Sequence, residues 1–326
     1  MQKIAELIKK EAESLLKEKK VTAVLAWQPG EFYYDNSPAY FTSLEQLDKL
    51  VYNEFCPANL SKYLMTGSKK KETMAIFAKP CDTYGINQLI KDHRVKRELI
   101  TVIGIPCSGM IDIKKIKAQG VKGIISVAVE GEKVIVKTAY GEKTFNKTDI
   151  LLAKCMSCKG SDYMIADKEL GEKMEVKCQK LDPLAGVTKL EAMTSKERFA
   201  FWQEELSKCI RCNACRDICP ACSCEQCIFD NQEAAVAGKA SANTAEEQMF
   251  HIIRAYHVAG RCVGCGECAR VCPQGIQLGL LNTKFSKDIS MFYGKYQPGA
   301  DTDSKAPLVD YKFDDVEPTI SAKGGR

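Results

Sequence analysis

Three observations predict an α/β domain, then a compact cysteine-rich domain, then an extended tail. Helical and strand-like hydrophobic periods alternate over residues 1–190, one cysteine run occurs twice within residues 191–285, and residues 286–326 carry no sustained period. The 326 residues suffice for this division, and 45% hydrophobic content is that of a folded globular chain rather than a disordered or fibrous one.

Each element of the first domain follows from its local pattern. Ile4 to Glu18 reads as an amphipathic helix, Val21 to Trp27 as a strand and Leu44 to Glu54 as a second helix. Apolar runs at Met74 to Ala78, Ile100 to Ile105, Ile124 to Val129 and Val134 to Thr138 read as further strands. Cysteine loops follow or closely trail three of these runs: Lys79-Pro80-Cys81-Asp82, Ile105-Pro106-Cys107-Ser108-Gly109 and Lys154-Cys155-Met156-Ser157-Cys158. Proline and glycine beside the cysteines favour exposed turns over strand interiors.

The second domain opens at Thr194, which with Glu197 fits a capping box ahead of the amphipathic stretch Arg198 to Lys208. Thr244 and Glu247 fit a second box, ahead of a helix whose Met249, Phe250, Ile252, Ile253 and Tyr256 recur at helical spacing. Each helix leads towards a cysteine run. From Ser286 onward, Pro298, Gly299, Asp301, Asp303 and Pro307 are interleaved with Phe292, Tyr293, Tyr296, Tyr311 and Phe313, which cannot build a core alone. This tail is expected to be an interaction arm, docked on a partner or on its own domain.

No apolar run approaches the roughly 20 residues that span a bilayer, and the first residues form a charged helix rather than a signal peptide. The expected location is cytoplasmic. There the 17 cysteines stay reduced, and clustered reduced cysteines imply metal. The formal charge of +5 is spread along the chain and matched by nearly as many acids, which argues against a nucleic-acid-binding stripe. Three [4Fe-4S] clusters at about −2 each would bring the loaded protein to roughly −1.

Cys209, Cys212, Cys215 and Cys219-Pro220 form the first run, and Cys262, Cys265, Cys268 and Cys272-Pro273 the second. Three cysteines at a spacing of three wrap one cube, while the fourth, followed by proline, ligates the neighbouring cube. The pattern predicts a bacterial-ferredoxin-like domain with two [4Fe-4S] clusters. Cluster one uses Cys209, Cys212, Cys215 and Cys272; cluster two uses Cys262, Cys265, Cys268 and Cys219. Zinc is the alternative, but it usually takes separated C-x2-C pairs. Gly264 and Gly266 let the backbone approach the cube.

Strands of one sheet can bring Cys81, Cys107, Cys155 and Cys158 together along their carboxyl edge, where they would hold a third [4Fe-4S] cluster; four unrelated buried thiols are the alternative. Lys154 and Lys159 can offset its charge. The loop sequence Pro80-Cys81-Asp82-Thr83-Tyr84-Gly85-Ile86, then Val102 to Cys107, then Lys154 to Lys159 with Asp162-Tyr163, resembles the beta-subunit family of coenzyme F420 hydrogenases and dehydrogenases. The ferredoxin appendage is shared by its formate dehydrogenase beta and heterodisulfide-reductase-linked types. The resemblance implies an α/β fold, a cluster on the same four cysteines, FAD, and partner subunits in a hydrogenase, formate dehydrogenase or heterodisulfide-reductase-like complex. Flavin-binding members carry glycine- and serine-rich stretches where this chain has Ile165 to Gly171, and another near the N-terminus that has no counterpart here, which leaves FAD possible rather than required.

Cys56, Cys178, Cys222, Cys224 and Cys227 remain. A further centre on Cys222, Cys224 and Cys227, completed by Cys178 or Cys56, stands beside the plainer reading of small buried hydrophobes. His93, His251 and His257 are too dispersed for a catalytic set, and the last two read as partner or surface residues. No catalytic residue is assigned. The expected function is an electron relay subunit of a cytoplasmic anaerobic oxidoreductase complex; the alternative is an FAD-containing subunit that reduces F420, a nicotinamide or another hydride carrier.

Overall fold

The computed structural model describes residues 1–176, 181–231 and 244–309. The first domain runs α1 (Gln2–Lys17), β1 (Ala23–Pro29), β2 (Asn36–Phe41), α2 (Leu64–Lys70), β3 (Met74–Ala78), α3 (Pro80–Lys91), β4 (Ile100–Gly104), α4 (Ile113–Ala118), β5 (Ile124–Glu130), β6 (Lys133–Thr138), β7 (Gly141–Asn146), α5 (Ala153–Met156) and β8 (Lys168–Glu169). A five-stranded sheet of order β2-β1-β3-β4-β8 forms its centre, parallel except for the β1/β2 pair. Strand β3 is buried along its whole length and β1 over its first five residues, which is why both are continuous apolar runs without alternation. Pro38 sits in the edge strand β2, where a missing ladder donor is tolerated.

The expected runs at Ile124 and Val134 do form strands, but in a separate three-stranded antiparallel sheet, β5-β6-β7. This meander closes its own small core of Ile116, Val127, Val134, Val136 and Ile150. Sequence periodicity missed β7, whose residues are nearly all exposed, and β2, which carries a proline. It also overextended the helix over Leu44 to Glu54. Only a short 3-10 turn forms at Glu45–Lys49, because Val51 N–H donates to Trp27 O at 2.9 Å and ties the following chain to β1.

The second domain contains α6 (Ala185–Glu191), α7 (Ser195–Ser207), α8 (Ala214–Asp217), α9 (Thr244–His257), α10 (Glu267–Arg270) and α11 (Leu278–Tyr293). The first capping box forms: Glu197 N–H donates to Thr194 Oγ1 at 3.3 Å, and Thr194 N–H donates to Glu197 Oε2 at 2.8 Å. Helix α11 passes the expected boundary at residue 285 because Ile289 is buried and Lys284 and Lys287 pair with Glu191 on α6. Beyond it, residues 294–309 fold back on α3. Asn87 Nδ2 donates to Gly299 O at 3.1 Å and Lys91 Nζ to Ser304 Oγ at 3.0 Å. Gly299 has φ +75°, and a Cβ there would stand 2.0 Å from Tyr84 O, so the contact requires glycine. The described part of the tail is thus docked on its own domain; Tyr311 and Phe313 lie outside the described residues. Among the described residues no helix is long and apolar enough to cross a membrane.

Candidate metal centres

The four cysteines expected in the first domain line a single cavity. Cys81 follows β3 on the first turn of α3, where Pro80 opens the helix; Cys107 follows the adjacent parallel strand β4. Cys155 and Cys158 arrive from the small sheet through α5. Cys81 is therefore helical and Cys155 buried, not in the exposed turns that their neighbours suggested. Met110 N–H donates to Cys155 Sγ at 3.4 Å. Burial pushes the Cys107 thiol up to about 11 and raises those of Cys81 and Cys155. Thiolates at this place need a metal cation to offset desolvation.

The protein supplies cations around the same cavity. Lys79 is buried, 3.0 Å from Asp82 Oδ2 and 4.2 Å from the Trp27 ring centroid. Lys154 bonds Glu267, and Lys159 donates to Val263 O while its Nζ lies 4.5 Å from the Tyr84 ring centroid. Four thiols on one cavity, Cys155 buried and the other three half-buried, with three lysines beside them fit a [4Fe-4S] cluster with its negative charge.

In the second domain Cys209, Cys212, Cys215 and Cys272 line another cavity, so the fourth cysteine of the second run joins three of the first. Cys219 faces Cys262, Cys265 and Cys268 electrostatically and packs with Cys262. The runs are related by a local repeat. Arg211 and Asn213 have φ +54° and +61°, where Gly264 and Gly266 have +68° and +69° in the second run. The first run thus holds non-glycine residues in the left-handed region that glycine occupies in the second. The crossed arrangement gives an expected outcome for Cys219→Ala: the cluster of the second run is damaged and that of the first persists. Spectra resolving the two clusters, with the first-run signal lost instead, would contradict it.

Helix α9 turns a charged face inward. Glu247, His251 and Arg254 are buried, whereas Met249, Ile252 and Tyr256 are exposed. Of the apolar residues that marked this helix in the sequence, Phe250 is buried while Met249, Ile252 and Tyr256 are not, so the apolar spacing does not by itself mark the buried side, and His251 is not a surface residue. It is 2% exposed, lines the cavity of Cys209, and has no hydrogen-bond partner on either ring nitrogen among the described residues. Cys209 Sγ, a Glu247 oxygen and a His251 nitrogen lie within 4.8 Å of one another. Burial, with Arg254 and Arg211 adding to it, lowers His251 to about 3, so the ring is neutral. The one sequence signal for this face was the spacing of Glu247, His251 and Arg254 by four and three residues.

Arg254 is 3% exposed and its guanidinium faces cysteines of both runs, among them Cys215, Cys219 and Cys268. A buried cation between two anionic centres favours their reduced forms. Arg254→Leu is expected to lower the cluster midpoint potentials by roughly 50–100 mV, from Coulomb's law at an effective dielectric constant of about 20 over about 10 Å. Anaerobic EPR-monitored redox titration measures it, and unchanged potentials would refute it.

The two domains meet along a polar, buried seam. Glu267 is fully buried between Lys154 of the first domain and Arg270 of its own helix, with Arg270 Nη2 at 2.7 Å. Burial alone would raise its carboxyl, but Lys154 and Arg270 outweigh this and hold it at about 2. Arg261 Nη2 donates to Asp92 Oδ2 at 2.6 Å, and Lys62 donates to Cys222 O. Backbone proximity is close as well. A Cβ on Gly266 would lie 2.9 Å from Lys154 Cβ, and one on Gly85 would lie 3.3 Å from Pro220. Through this seam Gly264 and Cys265 of the second run reach the wall of the first-domain cavity.

Of the remaining cysteines, Cys56 is fully buried beside Asn53 and Val51. Cys222, Cys224 and Cys227 line one cavity together, and Cys178 lies outside the described residues.

A 4Fe-4S dicluster domain family matches residues 205–276. The chain is 25% identical to the F420-dependent formate dehydrogenase subunit beta of Methanocaldococcus jannaschii over 351 aligned positions, covering 90% of this chain and 91% of that protein. It is 24% identical to the F420-dependent formate dehydrogenase 1 subunit beta of Methanococcus maripaludis over 269 positions, covering 64% and 70%. Among solved structures, the xenon-derivatised F420-reducing [NiFe] hydrogenase complex from Methanosarcina barkeri aligns at 12% identity with a TM-score of 0.37, over 51% of this chain and 66% of that one. This last overlap is too partial to carry weight.

Proposed function

We propose that this iron–sulfur relative of the F420-linked dehydrogenase beta subunits is an electron relay, with three [4Fe-4S] clusters connecting partner subunits of a redox complex. The observation that supports the reading is the shared wall between the two domains. Cys81, Cys107, Cys155 and Cys158 surround a cavity that Gly264 and Cys265 of the second cysteine run also line. When bound, each cluster takes up and gives up one electron. The chain's own residues hold the three sites side by side, exclude water from them and offset their charge through Lys79, Lys154, Lys159 and Arg254.

The partners of such a relay are subunits of a formate dehydrogenase, hydrogenase or heterodisulfide-reductase-like complex. A second reading, in which the chain binds FAD and reduces F420 or another hydride carrier, draws on the two relatives, each the beta subunit of an F420-dependent formate dehydrogenase. Against it stands the segment Ile165 to Gly171, which lacks the glycines that would cradle a pyrophosphate. Anaerobic reductive titration followed by acid release separates the two. The relay takes up about one electron per cluster and releases no flavin. Stoichiometric FAD in the supernatant would favour the second reading.

A further inference from the structure

Pro220 is followed by Cys222, Cys224 and Cys227, three thiols in excess of those needed for the sites above. They share a cavity of about 220 Å³, larger than the cavities of about 50 and 20 Å³ at the first-domain and first-run cysteines. We propose that this cavity holds a fourth [4Fe-4S] cluster, ligated by Cys222, Cys224 and Cys227, with His257 as the fourth ligand.

The spread of the thiols decides between a cluster and a single ion. Tetrahedral zinc at about 2.3 Å from each sulfur would hold the sulfurs about 4 Å apart. Among the described residues only Cys209, Glu247 and His251 form a set of three ligating atoms within 4.8 Å, so these three thiols stand wider than one ion requires. The same is true of Cys81, Cys107, Cys155 and Cys158.

Charge points the same way. Lys62, Arg216, Arg254 and Arg261 line the cavity. Of its carboxylates, Asp217 and Asp230 are taken by Arg216 at 3.1 and 2.8 Å, and Glu225 stands 3.7 Å from Arg94. Lys62 has no carboxylate partner in the cavity among the described residues, and an anion there would offset it. A [4Fe-4S] core with three thiolates and a neutral imidazole carries about −1. Because the carboxylates are engaged, His257, whose ring lies 6.3 Å from that of Phe229, is the remaining ligand on the cavity wall.

Position gives the site a use. Cys222 N–H donates to Cys219 O at 3.1 Å, so the cavity adjoins a ligand of cluster two. Cys224 and His257 are exposed, which puts the outer side of the site at the protein surface, within reach of a partner.

The test is the full chain carrying Cys224→Ser and Cys227→Ser, with Cys222 retained because it touches Cys219. After anaerobic reconstitution, iron, acid-labile sulfide and zinc are determined and Mössbauer spectra recorded. The variant should hold about four irons and four sulfides fewer than wild type, with the other clusters intact. Unchanged iron, or the loss of one zinc at unchanged iron, overturns the proposal. Should the double variant lose all its iron, His257→Ala decides: loss of about four irons or a shifted EPR signal from one cluster supports the site, and an unaltered spectrum overturns it. Failure here leaves the three-cluster relay standing, since that reading depends on Cys155 and Cys158 instead.

Discussion

Replacing Cys155 and Cys158 together by serine is expected to remove about four irons and four sulfides per chain while the signals of the two ferredoxin-type clusters persist. Both residues arrive on one short segment after the β5-β6-β7 meander, so the double change removes half of the first-domain donor set at once. Cys81 and Cys107 remain on separate segments, the first turn of α3 and the loop after β4, and two thiolates do not hold a cube. The fold should survive, because the main core is built mostly from the apolar strands β1, β3 and β4 with α1, and Cys155 is one small side chain among them. Far-UV circular dichroism checks this. A double variant that keeps all its iron would show that the four cysteines do not share a cluster.

Glu267→Ala is expected to destabilise the docked protein by about 3–5 kcal/mol, the usual cost of leaving a buried charge without its partner. Glu267 is 0% exposed and neutralises two cations at once, Lys154 across the seam and Arg270 on α10. Removing it leaves both cations facing each other in a desolvated place beside the cysteines. The second domain should then loosen from the first, which limited proteolysis and a drop in thermal midpoint would record. Glu267→Gln keeps the shape and some hydrogen bonds, and should fall between the two. Equal stability of the alanine variant and wild type would mean that the seam is not held there.

Much of this arrangement was legible from residues alone, for physical reasons. Cysteines at a spacing of three have few other uses, and continuous runs such as Met74 to Ala78 can only be strands buried on both faces. The expectation that one sheet brings four distant cysteines together holds for Cys81 and Cys107, which follow the adjacent parallel strands β3 and β4, whereas Cys155 and Cys158 come from the separate small sheet through α5. Other features depended on tertiary context. The polar strand β7 is held by pairing with β6 rather than by its own pattern. In α9 the buried side is mixed rather than apolar, since Glu247, His251 and Arg254 are buried together with Phe250 and Ala255 while Met249 and Tyr256 are exposed. Apolar periodicity finds a helix next to a hydrophobic core, but here the packed neighbours are thiols. The domain seam was equally hidden, because Lys154 and Glu267 are 113 positions apart and nothing local pairs them.

The most direct test of the relay is the iron and acid-labile sulfide content of the anaerobically reconstituted full chain. Three clusters require about twelve of each, and the additional cysteine site would raise this to about sixteen. A protein that holds only about eight after complete reconstitution would have clusters in the ferredoxin-like domain alone, and the proposed continuation of the relay into the first domain would be contradicted.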